Sequence, residues 1–166
     1  VFYAHMLRHY GSLPIIDHAI SADDASFPAR ATLQQTVDFI VKLLNDAIAC
    51  EDFPWSVPEN EMENWDGRMT LKTRVLLFVA SPLFNSDAPF AKGEASDKKM
   101  TWWGNYDKQR WKQAVDACKE FFDALNKNGF FKLVQAGDHG ITTEREAYTS
   151  AYFDRGNTET LISCRR

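Results

Sequence analysis

His5 and His9 stand one helical turn apart near the start of the chain. That spacing can bring two imidazoles to one metal ion. Met6 follows His5 where a metalloprotease helix would carry glutamate, and no third ligand follows at a matching interval. Solvated or scaffold histidines are therefore the better reading, with Asp17 and His18 nearby only in sequence. Residues 51–69 offer oxygen ligands for a Ca²⁺ ion in Asp52, Glu59, Glu61, Glu63 and Asp66. Their spacing fits no EF-hand, so a solvated acidic loop is expected there, with Trp55 and Trp65 in it. A third cluster is aromatic: Trp102, Trp103, Asn105 and Tyr106 lie in a polar stretch. It sets flat apolar faces beside amide and hydroxyl groups, the pairing that grips ligands with both apolar and polar surface. The same indoles could instead plug the gap between the flanking helices, since large aromatic rings tend to bury part of themselves. Arg68, Lys72 and Arg74 read as a solvated helix start. No nucleophile motif, glycine-rich phosphate loop or paired-carboxylate constellation stands out, so neither a catalytic role nor a cofactor is expected.

These residues must be positioned by helices. In the first ten residues, Phe2, Met6, Leu7 and Tyr10 are spaced to form one apolar stripe, with Gly11 as the stop and Leu13–Ile16 leaving extended. Thr32 and Gln35 fit a capping box, and Val37, Ile40, Val41, Leu44, Ala47 and Ile48 then recur at three and four, predicting a helix over 33–50. A third helix is expected from about Thr70, dense enough in Leu, Val and Phe through Phe84 to be largely buried, with Pro82 bending or ending its last turn. Residues 85–105 read as irregular. A fourth helix is expected over 108–126, with Trp111 as core and Asn128-Gly129 as its exit. Residues 130–134 look extended, 148–153 a helical turn and 159–164 strand-like. Helix starts near 32, 70 and 108 hint at a repeat array, though no named repeat length fits.

Composition agrees with one all-α, mainly helical domain spanning 1–166. The chain has 166 residues, 23 acidic and 19 basic, a net charge of −4, and 45% hydrophobic residues. That is enough apolar content for one core and too little net charge for disorder. Three cysteines exclude a disulfide-dense scaffold, and a pI near 5.6 without a basic block argues against a nucleic-acid partner. No apolar run reaches the roughly 18 residues a membrane span needs. The chain opens on VFYAHMLRHY and closes on ETLISCRR, both of which read as cuts through structured elements, so an internal piece of a longer protein is expected.

Five blocks, in order, carry a resemblance. MLRHYGSLPII resembles the R-Y-G-G-x-P-L-I passage of the SusD/RagB family. RATLQQTVDFIVKLLNDAIA is similar to its Arg-led capped helix. WDGRMTLKTRVLLFVASPLFN resembles its G-R-x-T…A-S-P-L-F-N helix, although Arg74 stands where the family usually has Ala. WKQAVDACKEFF with NGFFKLV resembles its W-x-x-A…G-x-Y-x-L unit, and GNTETLIS its N-x-E-x-I-x-S. Ser12 stands where the family favours Gly.

The resemblance implies a tetratricopeptide-like scaffold of helix pairs with long irregular loops. It also implies a surface-exposed outer-membrane lipoprotein of the Bacteroidetes, held to the membrane only through a lipid anchor outside this chain. Such proteins capture glycans without catalysis and hand them to a SusC-like TonB-dependent transporter. Under it, Trp102, Trp103, Asn105 and Trp65 become the candidate glycan-binding residues, and Arg68 pins a loop rather than binding ligand. Cys50 and Cys118 sit on apolar stripes as small hydrophobes. Export would permit a bridge between them, though no spacing favours one. Two other classes stay open: a helical-repeat scaffold that binds a peptide or protein, and an α-helical glycan-degrading enzyme.

Overall fold

The computed structural model describes residues 1–21, 23, 27–50, 65–128, 131–138, 140–154 and 157–159. The described residues are all-α: α1 (Phe2–Tyr10), α2 (Leu33–Ile48), α3 (Trp65–Ala80), α4 (Glu94–Asp97), α5 (Lys108–Asn128) and α6 (Glu144–Phe153).

The core forms where α1, α2 and α3 meet. Ala4 and Leu7 from α1 pack with Leu33, Val37, Ile40 and Leu44 from α2, Val75 and Val79 from α3, and Phe84 just beyond it. The α2 stripe is as expected, and its capping box is present: the Thr32 hydroxyl accepts from the Gln35 N–H, and the Gln35 side chain accepts from the Thr32 N–H. The α1 stripe is rotated from expectation. Leu7 is buried, but Phe2 and Tyr10 are exposed, because Ala4 and Tyr3 face α2 instead. Helix α5 packs against α3, and its buried positions are Ala114 and Ala117. Trp111, expected as core, is 37% exposed.

Several other expectations change. Helix α3 begins at Trp65, not near Thr70, so Trp65 opens a helix and does not sit in a loop. With starts at Leu33, Trp65 and Lys108 the even spacing disappears. Helix α3 is only partly buried, with Leu77 51% exposed. It stops at Ala80, before Pro82, where Ser81 O accepts from both Phe84 N and Asn85 N. The stretch 85–105 contains the short α4. The turn expected at 148–153 is a ten-residue helix from Glu144, started by a second capping box between Thr143 and Glu146. Residues 131–134 are extended without forming a strand; Lys132 N donates to Thr158 O at 3.1 Å. Helix α5 runs to Asn128, while Gly129 of the expected exit, most of the acidic loop with Trp55, and all but the first residue of 159–164 lie outside the described residues.

Long-range polar latches hold the loops. Arg30 Nε donates to Ser12 O (2.9 Å) and Oγ (3.1 Å), and Arg30 Nη2 donates to Tyr10 O, capping the end of α1. Tyr3 Oη donates to Pro14 O and accepts from Ile16 N, both at 2.9 Å. Gly11 has a φ of +73°, and a Cβ there would approach Met100 O to 3.1 Å. That residue's carbonyl accepts from Ser12 N, while Lys99 O accepts from Leu33 N, an N–H left free by the first turn of α2. The loop before α5 thus clips the α1–α2 connection in place. Arg68 Nη1 donates to Ala47 O at 2.9 Å, tying the start of α3 to the end of α2.

Candidate functional site

Three stripes of side chains, each spaced at three and four, line a groove of about 730 Å³ between α2, α3 and α5. Helix α2 contributes Gln34, Asp38, Lys42, Asn45 and Asp46; α3 forms the floor with Lys72, Leu76 and Val79; α5 contributes Gln109, Arg110, Gln113, Asp116 and Glu120. Trp103 and Asp107 close one end. The walls are carboxamides and charged groups, and the floor is apolar apart from Lys72, a combination suited to a ligand rich in hydroxyls.

Much of the wall is already internally paired. The Gln34 amide donates to both Asp38 oxygens (2.8 and 2.9 Å). Lys42 pairs with Asp46 at 2.7 Å and Lys72 with Glu120 at 2.9 Å, the latter reaching across from α3 to α5. The Lys42–Asp46 pair is exposed and contributes about 0–1 kcal/mol.

The end of the groove is more rigid. Asn85, 3% exposed, accepts from Asp107 N (2.8 Å) and Arg110 Nη1 (2.7 Å) and donates to Asp107 O (3.0 Å). Arg110 also donates to Asn105 O at 2.7 Å and to Asn105 Oδ1 at 3.0 Å. Its guanidinium carbon lies 4.7 Å from the centre of the Trp103 ring, a cation–π contact. Burial pushes the Arg110 pKa down and neighbouring Asp107 pushes it back up, which leaves a guanidinium charged throughout the physiological range.

The structure does not gather the sequence-derived site residues into one place. Trp103 lines the groove, but it packs on the core, donates its indole N–H to Val79 O at 2.7 Å and lies under Arg110. Trp102 donates to Ser96 O at 2.9 Å, fastening α4, and is no part of the groove wall. Asn105 is exposed, with its side chain held by Arg110 and by Tyr106 O. Trp65 starts α3, and its side chain lies outside the described residues. The amides and acids of α2 and α5 that line the groove carry a signal in the sequence, since polar residues recur at three and four beside the buried stripe.

The remaining candidates are scattered. The His5 and His9 rings meet edge to face at 4.9 Å, and no group of three or more His, Cys, Asp or Glu suited to a metal occurs among the described residues. Asp17 accepts from His18 Nδ1 at 2.6 Å in a fully exposed pair, and that bond holds the aspartate pKa below its usual value. Cys50 and Cys118 are free thiols. Among the described residues no helix is long and apolar enough to cross a membrane.

No protein-family model and no curated protein matches the chain. Solved structures do. The chain is similar to BT4246 of Bacteroides thetaiotaomicron, with a TM-score of 0.64 and 27% identity over 81% of this chain and 24% of that one. The selenomethionine form of BT4246 gives a TM-score of 0.59 at 26% identity, over 81% of this chain and 23% of that one. The chain therefore spans about a quarter of the BT4246 chain. The likeness covers the helical frame and is consistent with a protein of the Bacteroidetes.

Proposed function

We propose that this chain is part of a SusD/RagB-like outer-membrane lipoprotein, with a tetratricopeptide-like frame that binds glycans at the cell surface and passes them to a SusC-like TonB-dependent transporter. The carrying observation is the chemistry of the α2/α3/α5 groove. Four carboxamides (Gln34, Asn45, Gln109 and Gln113) face one channel with an apolar floor. Carboxamides both donate and accept, as sugar hydroxyls do, and the floor suits sugar C–H surfaces. The five ordered sequence blocks and the likeness to BT4246 support the reading. In it Trp103 shapes the end of the groove and stacks on Arg110, not on sugar.

One observation favours a second reading, a peptide ligand: the concave face is polar-aromatic, and its one indole has its N–H committed to Val79 O. Calorimetric titration of the chain with neutral and acidic oligosaccharides and with extended peptides separates the two. Glycan binding weakened about tenfold or more by Asn45→Ala with Gln113→Ala, both exposed positions, is the expected result. Peptide binding with no response to any glycan would replace the glycan reading.

A further inference from the structure

We infer that the groove selects glycans without acid groups and rejects those carrying uronate or sulfate, an inference that rests on the glycan reading above. Its walls hold five carboxylates against three cations. Recognition of a sugar acid calls for a cation able to offer its N–H groups, and each cation in the groove is engaged. Lys42 is held by Asp46 at 2.7 Å. Lys72, with a side chain only 14% exposed, is held by Glu120 at 2.9 Å. Arg110 is bound to Asn85 and both oxygens of Asn105, and its face covers Trp103.

The carboxylates are less fully compensated. Asp38 is met by the neutral amide of Gln34, and Asp116 pairs with Lys112, which stands outside the groove wall. An incoming carboxylate or sulfate would therefore meet uncompensated negative charge at Asp38 on the α2 wall. Repulsion between exposed charges reaches about a Debye length, about 10 Å at 0.1 M salt, and fades as salt rises. Neutral hydroxyls meet no such penalty, and the carboxylates serve them as strong acceptors.

The test titrates the chain with matched pairs of equal length: galacto-oligosaccharide against oligogalacturonate, and neutral against sulfated gluco-oligosaccharide, at about 20 mM and about 500 mM salt. The neutral member of a pair should bind about tenfold or more tightly at low salt, with the gap shrinking at high salt. Asp38→Lys lies on the exposed surface of α2 and should raise the acidic-to-neutral affinity ratio about tenfold. Tighter binding of an acidic member by the unaltered chain, or a ratio unmoved by Asp38→Lys, would overturn the inference while leaving glycan capture standing. Failure of every oligosaccharide to bind would overturn the glycan reading itself, and the inference with it.

Discussion

Helix α3 has a groove on each side, and the two could hardly differ more. One is the polar channel toward α2 and α5. The other, about 570 Å³, runs toward α1 and is lined mainly by apolar residues such as Ala4, Leu7, Leu71, Leu77, Phe78 and Trp111, with Arg8 and Arg74 beside them. A helix flanked on both sides cannot carry one clean apolar stripe, so its hydrophobic residues are spread around it. That is why α3 reads from sequence as a dense apolar run and yet leaves Leu77 half exposed. The chemical contrast comes from the neighbours: α2 and α5 turn amides and acids toward the channel, while α1 turns aliphatic side chains toward its own side of α3.

The contrast divides substitutions into those that break the frame and those that alter the channel. The largest loss is expected at the residue that belongs to both. Trp103→Ala removes an indole packed on the core, its bond to Val79 O and the platform under Arg110, and should cost about 3 kcal/mol in urea unfolding. A loss below about 1 kcal/mol would mean that the ring is a loop ornament. Asn85→Ala strips partners from Asp107 N and Arg110 in a buried position and should cost about 2 kcal/mol by the same measurement. Thr32→Ala opens the α2 capping box, with about 1 kcal/mol expected. In the channel, Gln113→Ala should change stability by under about 0.5 kcal/mol, because the side chain is exposed, while weakening ligand binding. A Gln113→Ala variant that unfolds as readily as Thr32→Ala would erase the division between frame and channel.

The smallest effect is a local pH response outside both grooves. Glu146 accepts from Thr142 Oγ1 (2.6 Å), Thr142 N (2.8 Å) and Thr143 N (3.1 Å), and these bonds, the hydroxyl's first, hold its carboxyl below the ordinary glutamate value. A carboxyl depressed in the folded state adds stability above its unfolded pKa, about 4.3, and loses that stability as pH falls through the folded value. Amide exchange at the start of α6 should therefore speed up below about pH 4.3, and Glu146→Gln should abolish that dependence. Protection that stays constant into acid would contradict the role of this cap.

The frame was legible in the sequence where one local rule decides. Thr32 with Gln35 announces α2, and Gly11 announces the end of α1, because capping and left-handed backbone depend on residues close in the chain. The α1 stripe was misjudged because Phe2 and Tyr10 fit the helical period but face away from α2, a fact of tertiary packing. Helix α6 was shortened because its apolar residues are few, although Thr143-x-x-Glu146 is the same start signal as in α2.

Most of the groove lining falls within the resembling blocks, but the latches that hold those blocks together are other residues. Arg30 holds the first block to the second through Ser12 and Tyr10, Gly11 lies close against Met100, and Asn85 of S-P-L-F-N fixes the start of α5. These latches require one residue type at one place and so leave a readable motif. The channel is built from exposed amides and acids that many sequences could supply. Trp102 and Trp103 stand out in the sequence for their flat faces in a polar stretch, yet both indole N–H groups are engaged by backbone carbonyls.

The central claim is that a glycan lies in the polar groove. Amide chemical-shift mapping of the ¹⁵N-labelled chain, titrated with the neutral oligosaccharide that binds best in calorimetry, tests it most directly. Saturable shifts should follow the inner faces of α2 and α5, at Gln34, Asp38, Asn45, Gln113 and Glu120, and leave Leu71, Phe78 and Trp111 unmoved. Shifts confined to the apolar groove or to the α6 region, with the α2 and α5 faces silent, would contradict it.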